Sequence, residues 1–194
     1  GGFQKNIDAQ IAAIAAEHPD QRVEVWFQDE ARFGQQGTLT RRWAPRGSRP
    51  RAVRQTRYDW LYVFAAACPQ TGATAGLLCP QVNTGAVDAF FDQLAKEIDD
   101  GVHVALIWDQ AGYHTSEKLK VPPNISLIQL PPRSPELNPI ENLWHYLRQH
   151  HWSNHAYEDY DALCDAALDA WQRVCLNRET VKSVCRVSYL IGQN

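Results

Sequence analysis

Phe3, Ile7, Ile11 and Ile14 recur at intervals of four, four and three residues, the spacing of one face of an α-helix, and the stripe stops near His18-Pro19. Residues 1–20 are read as an N-terminal helix or linker, set apart from the body of the chain at 21–194. The period then changes. Arg22 to Gln28 (RVEVWFQ) is rich in β-branched and aromatic residues, which predicts a strand that ends at Asp29-Glu30. Gly34, Gly37, Pro45, Gly47 and Pro50 follow as loop and short-hairpin signals. Tyr58 to Cys68 and Thr74 to Cys79 are the next strands, joined by the turn signal Pro69-Gln70-Thr71-Gly72, so the first three strands are expected to be antiparallel.

Between Thr84 and Ile98 the residues Val87, Phe90, Phe91, Leu94 and Ile98 fall on one helical face. Val102 to Trp108 (VHVALIW) is instead an almost unbroken apolar run, as in a central strand covered on both faces, and it stops at Asp109. Ser126 to Leu130 predicts a parallel strand after a short irregular crossover. Two helical stripes complete the chain: Ile140, Leu143, Trp144 and Leu147 within Asn138–Trp152, and Leu163, Ala167, Ala170 and Val174 within Asp159–Val174. The predicted class is α/β, a mixed five-stranded sheet of three antiparallel strands followed by two parallel ones, flanked by helices. That element order resembles a ribonuclease H-like domain.

Composition narrows the function classes. With 194 residues, 44% hydrophobic and 21% charged, the chain can bury a core as one domain without disulfides or a structural metal. Cys68, Cys79, Cys164, Cys175 and Cys185 are odd in number and lack C-x-x-C spacing, which argues against a disulfide framework or zinc ribbon and predicts reduced, buried thiols. No apolar run is long enough to span a bilayer and the start lacks a signal-peptide pattern, so no membrane association is expected and the predicted location is cytoplasmic. The absence of methionine, even at the start, is read as the mark of a fragment of something longer.

The net charge of −3 argues against a general polyanion binder, but its distribution reverses that locally. Arg32, Arg41, Arg42, Arg46, Arg49, Arg51, Arg54 and Arg57 follow one another with no Asp or Glu between. A run of arginines is usually a solvated face; eight without compensating acids, beside the candidate active-site edge, predict tracking of a phosphate backbone.

In open α/β sheets ligands gather beyond the carboxyl ends of the strands, where Asp29 and Asp109 are expected. Glu141, opening a helix, could project to the same edge. Three carboxylates without cysteine ligands suit Mg²⁺, or Mn²⁺ in its place, and two such ions serve phosphoryl transfer by stabilising the attacking and leaving oxygens.

Three stretches then carry a specific resemblance. Phe27-Gln28-Asp29-Glu30-Ala31-Arg32-Phe33-Gly34, Trp108-Asp109-Gln110-Ala111-Gly112-Tyr113-His114 and the run from Leu130 through Asn138-Pro139-Ile140-Glu141 to Trp144 resemble the catalytic motifs of Tc/mariner superfamily DDE transposases, in particular the bacterial insertion-sequence branch. Gln110 stands where that family usually has Asn, and the interval from Asp109 to Glu141 is slightly short. The resemblance implies that 21–194 is a ribonuclease H-like DDE catalytic domain with Asp29, Asp109 and Glu141 as catalytic acids and metal ligands. It implies two Mg²⁺ ions, DNA ends and target as partners, a homo-oligomer when assembled on DNA, and a TA target. The family's upstream helix-turn-helix region has no room here, so end recognition is expected on another segment or chain.

Plainer readings stand beside these. Asn138-Pro139-Ile140-Glu141 also fits a helix start, with Asn as cap and Glu closing a capping box, and an Asp after a strand is commonly a turn residue. His114 is either a structural histidine or a group near the second acid or a DNA phosphate. His145, His150, His151 and His155 match no closed zinc spacing, and Trp43 and Trp60 are core residues before they are base-stacking ones. Two rival functions remain: a ribonuclease H-like nuclease without strand transfer, and an inactive domesticated DNA-binding module.

Overall fold

A computed structural model describes residues 2–34, 59–109, 119–132, 134–153 and 155–187. In chain order these are α1 (Gly2–Glu17), β1 (Arg22–Gly34), β2 (Trp60–Ala67), β3 (Thr74–Cys79), α2 (Thr84–Glu97), β4 (Val102–Trp108), β5 (Ile125–Gln129), α3 (Ile140–Leu147), α4 (Tyr160–Val174) and α5 (Arg178–Val184). The five strands form one mixed sheet in the order β3-β2-β1-β4-β5. β1 runs antiparallel to β2 and parallel to β4, β2 is antiparallel to β3, and β4 is parallel to β5. This is the expected sheet, three antiparallel strands and then two parallel.

Alternation along the strands divides the apolar side chains between two cores. Val25, Phe27, Ala31 and Phe33 of β1 and Ala105 and Ile107 of β4 pack beneath α1, α3, α4 and α5. Trp26 of β1 and Val104, Leu106 and Trp108 of β4 face Val87, Phe90, Phe91 and Leu94 of α2. All seven residues of β4 are buried, as an apolar run between two helical layers requires. The stripe of α1 is part of the first core: Ile7, Ile11 and Ile14 are buried there, and His18 stacks on the buried His103 of β4 with ring centroids 3.6 Å apart.

Three expectations are corrected. β1 does not end at Asp29; it continues to Gly34 because Gln28 to Gly34 pair with Ala66 to Trp60 of β2, while the pairing with β4 stops at Phe27. The predicted helix over Asn138–Trp152 is two pieces, α3 and then a π-helical turn at Arg148–Trp152, and a 3-10 turn at Pro135–Leu137 precedes it. Trp152, at the end of that wider turn, stacks on Phe33 of β1 at 4.6 Å. Finally, four cysteines are buried but Cys164 is only half-buried; all five are free.

Candidate active site

Asp29 lies in the row of β1 that is otherwise apolar, between Phe27 and Ala31, beneath α3. The β1–β4 register pairs Phe27 with Ile107, and the same offset carried two residues further sets Asp29 level with Asp109, one residue past β4. Alternation beyond Ile107 puts position 109 on the face that holds α3. Asp109 itself is exposed. The carboxyl edge of β4 therefore has one acid on its own end and another beside it on the longer strand.

Glu141 reaches this edge through a tertiary clamp. The Asn138 side chain donates from Nδ2 to the main-chain carbonyl of Gln28 at 2.8 Å, and its Oδ1 accepts from the Ile140 N–H at 3.2 Å. One buried amide thus ties the first N–H of α3 to β1 immediately before Asp29. The expected capping box is displaced: α3 begins at Ile140, and the Asn138 N–H donates to Pro135 O at 2.9 Å, where a capping glutamate would accept it. One turn further along α3, the Trp144 indole Nε1–H donates to Asp29 Oδ2 at 2.9 Å.

The electrostatics of Asp29 follow from this placement. Burial, then the neighbouring Glu141 and Glu30 carboxylates, push it from 3.8 up to about 7, against the opposing hydrogen bonds from Trp144 and the Glu30 backbone. A carboxylate so placed is short of positive charge, and the Glu141 and Glu30 carboxylates beside it offer further hard oxygens. That combination fits Mg²⁺ or Mn²⁺. Among the described residues no three His, Cys, Asp or Glu side chains stand close enough together to hold an ion as they are. Asp29 and Glu141 are within electrostatic reach, and Asp109 follows the end of β4, two residues past its last pair with β1.

Of the candidate DNA contacts, Arg32 is exposed near the end of β1, its guanidinium 4.0 Å from the Trp60 ring centroid. Trp60 is half-buried, and its ring lies so close to Gly34 that a Cβ there would come within 2.2 Å of it. Arg41, Arg42, Arg46, Arg49, Arg51, Arg54, Arg57 and His114 lie outside the described residues. Asn138 and Trp144 were visible in the sequence only as a helix cap and a core residue. The spacing of three between Glu141 and Trp144, which puts both on one side of a helix, was the available signal.

Sheet order and acidic edge define an α/β domain of the nuclease type. The chain belongs to the DDE superfamily endonuclease family, whose sequence profile matches residues 24–164. An uncharacterized protein of Sinorhizobium fredii, y4pE/y4sA, is 46% identical over 115 residues, covering 59% of this chain and 85% of that protein. The Tc3 transposase of Caenorhabditis elegans is 40% identical over 85 residues, covering 40% of this chain but 24% of that protein. Among solved structures, the Mos1 mariner paired-end complex with Mn superposes with a TM-score of 0.64 at 14% identity, over 94% of this chain and 57% of that one. The Mos1 strand transfer complex does so at 0.60 and 12% identity, over 94% and 56%. The fold is thus ribonuclease H-like, and the domain is a DDE transposase or endonuclease domain that spans little more than half of the Mos1 chains it matches. No helix among the described residues is long and apolar enough to cross a membrane.

Proposed function

We propose that this chain is the catalytic domain of a Tc/mariner-type transposase of the bacterial insertion-sequence branch, hydrolysing phosphodiesters at element ends and joining the freed 3′-hydroxyl to target DNA at TA. The observation that carries this reading is the Asp29 carboxyl on β1 with Glu141 in electrostatic reach on the helix clamped over it, and Asp109 one residue past the end of the neighbouring parallel strand supports it. Divalent cations, Mg²⁺ or Mn²⁺, supply there the positive charge that the attacking and leaving oxygens of an in-line displacement need. The Mos1 structures determined with Mn and with Mg support that choice of ion.

The chain's own residues do the rest. Asp29 and Asp109 would hold one ion, and Glu141 would complete the site of a second. Burial beneath α3 keeps the Asp29 carboxylate away from bulk water, which strengthens its attraction for a cation. Arg32, stacked on Trp60, leads the basic run that tracks the DNA backbone, and copies of the chain assemble on paired ends.

The test compares wild type with Asp109→Asn on a matched end substrate in Mg²⁺, with products resolved as cleaved or joined strands. Loss of both products in the variant is expected; cleavage at the wild-type rate rejects the reading. Cleaved but never joined strands in wild type indicate a nuclease without strand transfer, and binding with no chemistry indicates a domesticated DNA-binding module.

A further inference from the structure

Outside the three acids, the feature tied most closely to the site is the Trp144 indole. Trp144 is 1% exposed, and its Nε1–H makes a 2.9 Å hydrogen bond to Asp29 across 115 positions of sequence. Its ring is held from behind: Trp144 stacks with Trp152 at 6.2 Å, and Trp152 stacks with Phe33, which stands four residues beyond Asp29 on the same row of β1. The path from Asp29 through Trp144, Trp152 and Phe33 returns to β1, so the indole is oriented by a closed set of contacts. We infer that Trp144 is a positioning residue for the candidate metal site: its indole N–H fixes the Asp29 carboxylate so that the remaining lone pairs face a divalent cation. This rests on the metal-dependent reading above.

The choice of side chain is chemically specific. A carboxylate offers about four lone-pair sites, so the hydrogen bonds from Trp144 and the Glu30 backbone still leave room for an ion. Indole is a donor only and carries no charge. Lysine or arginine at the same place would orient the carboxylate equally well but would repel the cation. Tyrosine would add an acceptor and an ionisable proton. Glu141, one turn earlier on α3, moves with Trp144 as one rigid unit, and the Asn138 clamp sets that unit against β1. α3 therefore supplies both a candidate ligand and the group that aims its neighbour.

The experiment is a Mn²⁺ titration of the chain without DNA, following free Mn²⁺ by electron paramagnetic resonance and the indole N–H resonances of its seven tryptophans by NMR. In wild type the Trp144 indole should be the first to broaden. Trp144→Phe, which keeps an aromatic ring in the stack, should bind Mn²⁺ about tenfold more weakly, and adding it to Asp29→Asn should change affinity no further. Affinity within twofold of wild type for a folded Trp144→Phe overturns the positioning role while leaving the metal site standing. Should that variant not fold, the wild-type broadening order decides: another indole broadening first overturns the inference. Wild type that broadens no indole overturns both the inference and the metal-dependent reading.

Discussion

Asp29→Asn should stabilise the metal-free protein at neutral and alkaline pH while removing its response to divalent cations. The wild-type carboxyl is displaced from 3.8 to about 7, chiefly by burial and then by Glu141 and Glu30. Between those values the folded state binds the proton more tightly than the unfolded chain, so stability falls as pH rises. The loss is absent below 3.8 and complete above about 7. At about 1.4 kcal/mol per pH unit the full displacement corresponds to at most about 4 kcal/mol. Asparagine can still accept the Trp144 hydrogen bond and carries no charge to desolvate. Urea unfolding in EDTA, run on both proteins from pH 4 to pH 8, should therefore show curves that coincide near pH 4 and separate progressively in favour of the variant. Added Mg²⁺ should close the gap by stabilising wild type, since an ion that binds only the folded state shifts its stability by mass action. A variant no more stable than wild type at pH 8, or a difference independent of pH, would refute the account of Asp29 as a buried, repelled carboxylate.

Further consequences are measurable by the same unfolding assay. Asn138→Ala removes the side-chain hydrogen bonds to the Gln28 carbonyl and from the Ile140 N–H, both buried, and should cost about 2 kcal/mol. Gly72→Ala should cost about 2 kcal/mol or more, because Gly72 holds φ +71° and an added Cβ would lie 2.2 Å from the Arg178 carbonyl oxygen. His103 is held below its ordinary value by burial and by His18, so stability should fall as pH drops below 6.5; His103→Phe should flatten that decline while keeping the ring stack.

Much of the architecture was legible in the sequence because it depends on local periodicity. The apolar run of β4, the one-sided stripe of α2 and the turn between β2 and β3 each report which faces are covered, and burial in the structure follows them closely. The candidate acids were found through motifs and strand ends, and Glu141 through a resemblance, its own local context being equally that of a cap. What local pattern could not give was any relation requiring two distant segments at once. The length of β1 is decided by β2, which continues to pair with it after β4 has stopped, and so Asp29 lies within a strand. Helical spacing placed Trp144 in the core, where it is, yet the polar end of its ring is committed to Asp29. The single helix expected from Asn138 to Trp152 gives way to a π-helical turn at whose end Trp152 stacks on Phe33. Periodicity is a property of one segment and its solvent exposure; the clamp over Asp29 is a property of where β1 and α3 meet, and only the packed chain contains it.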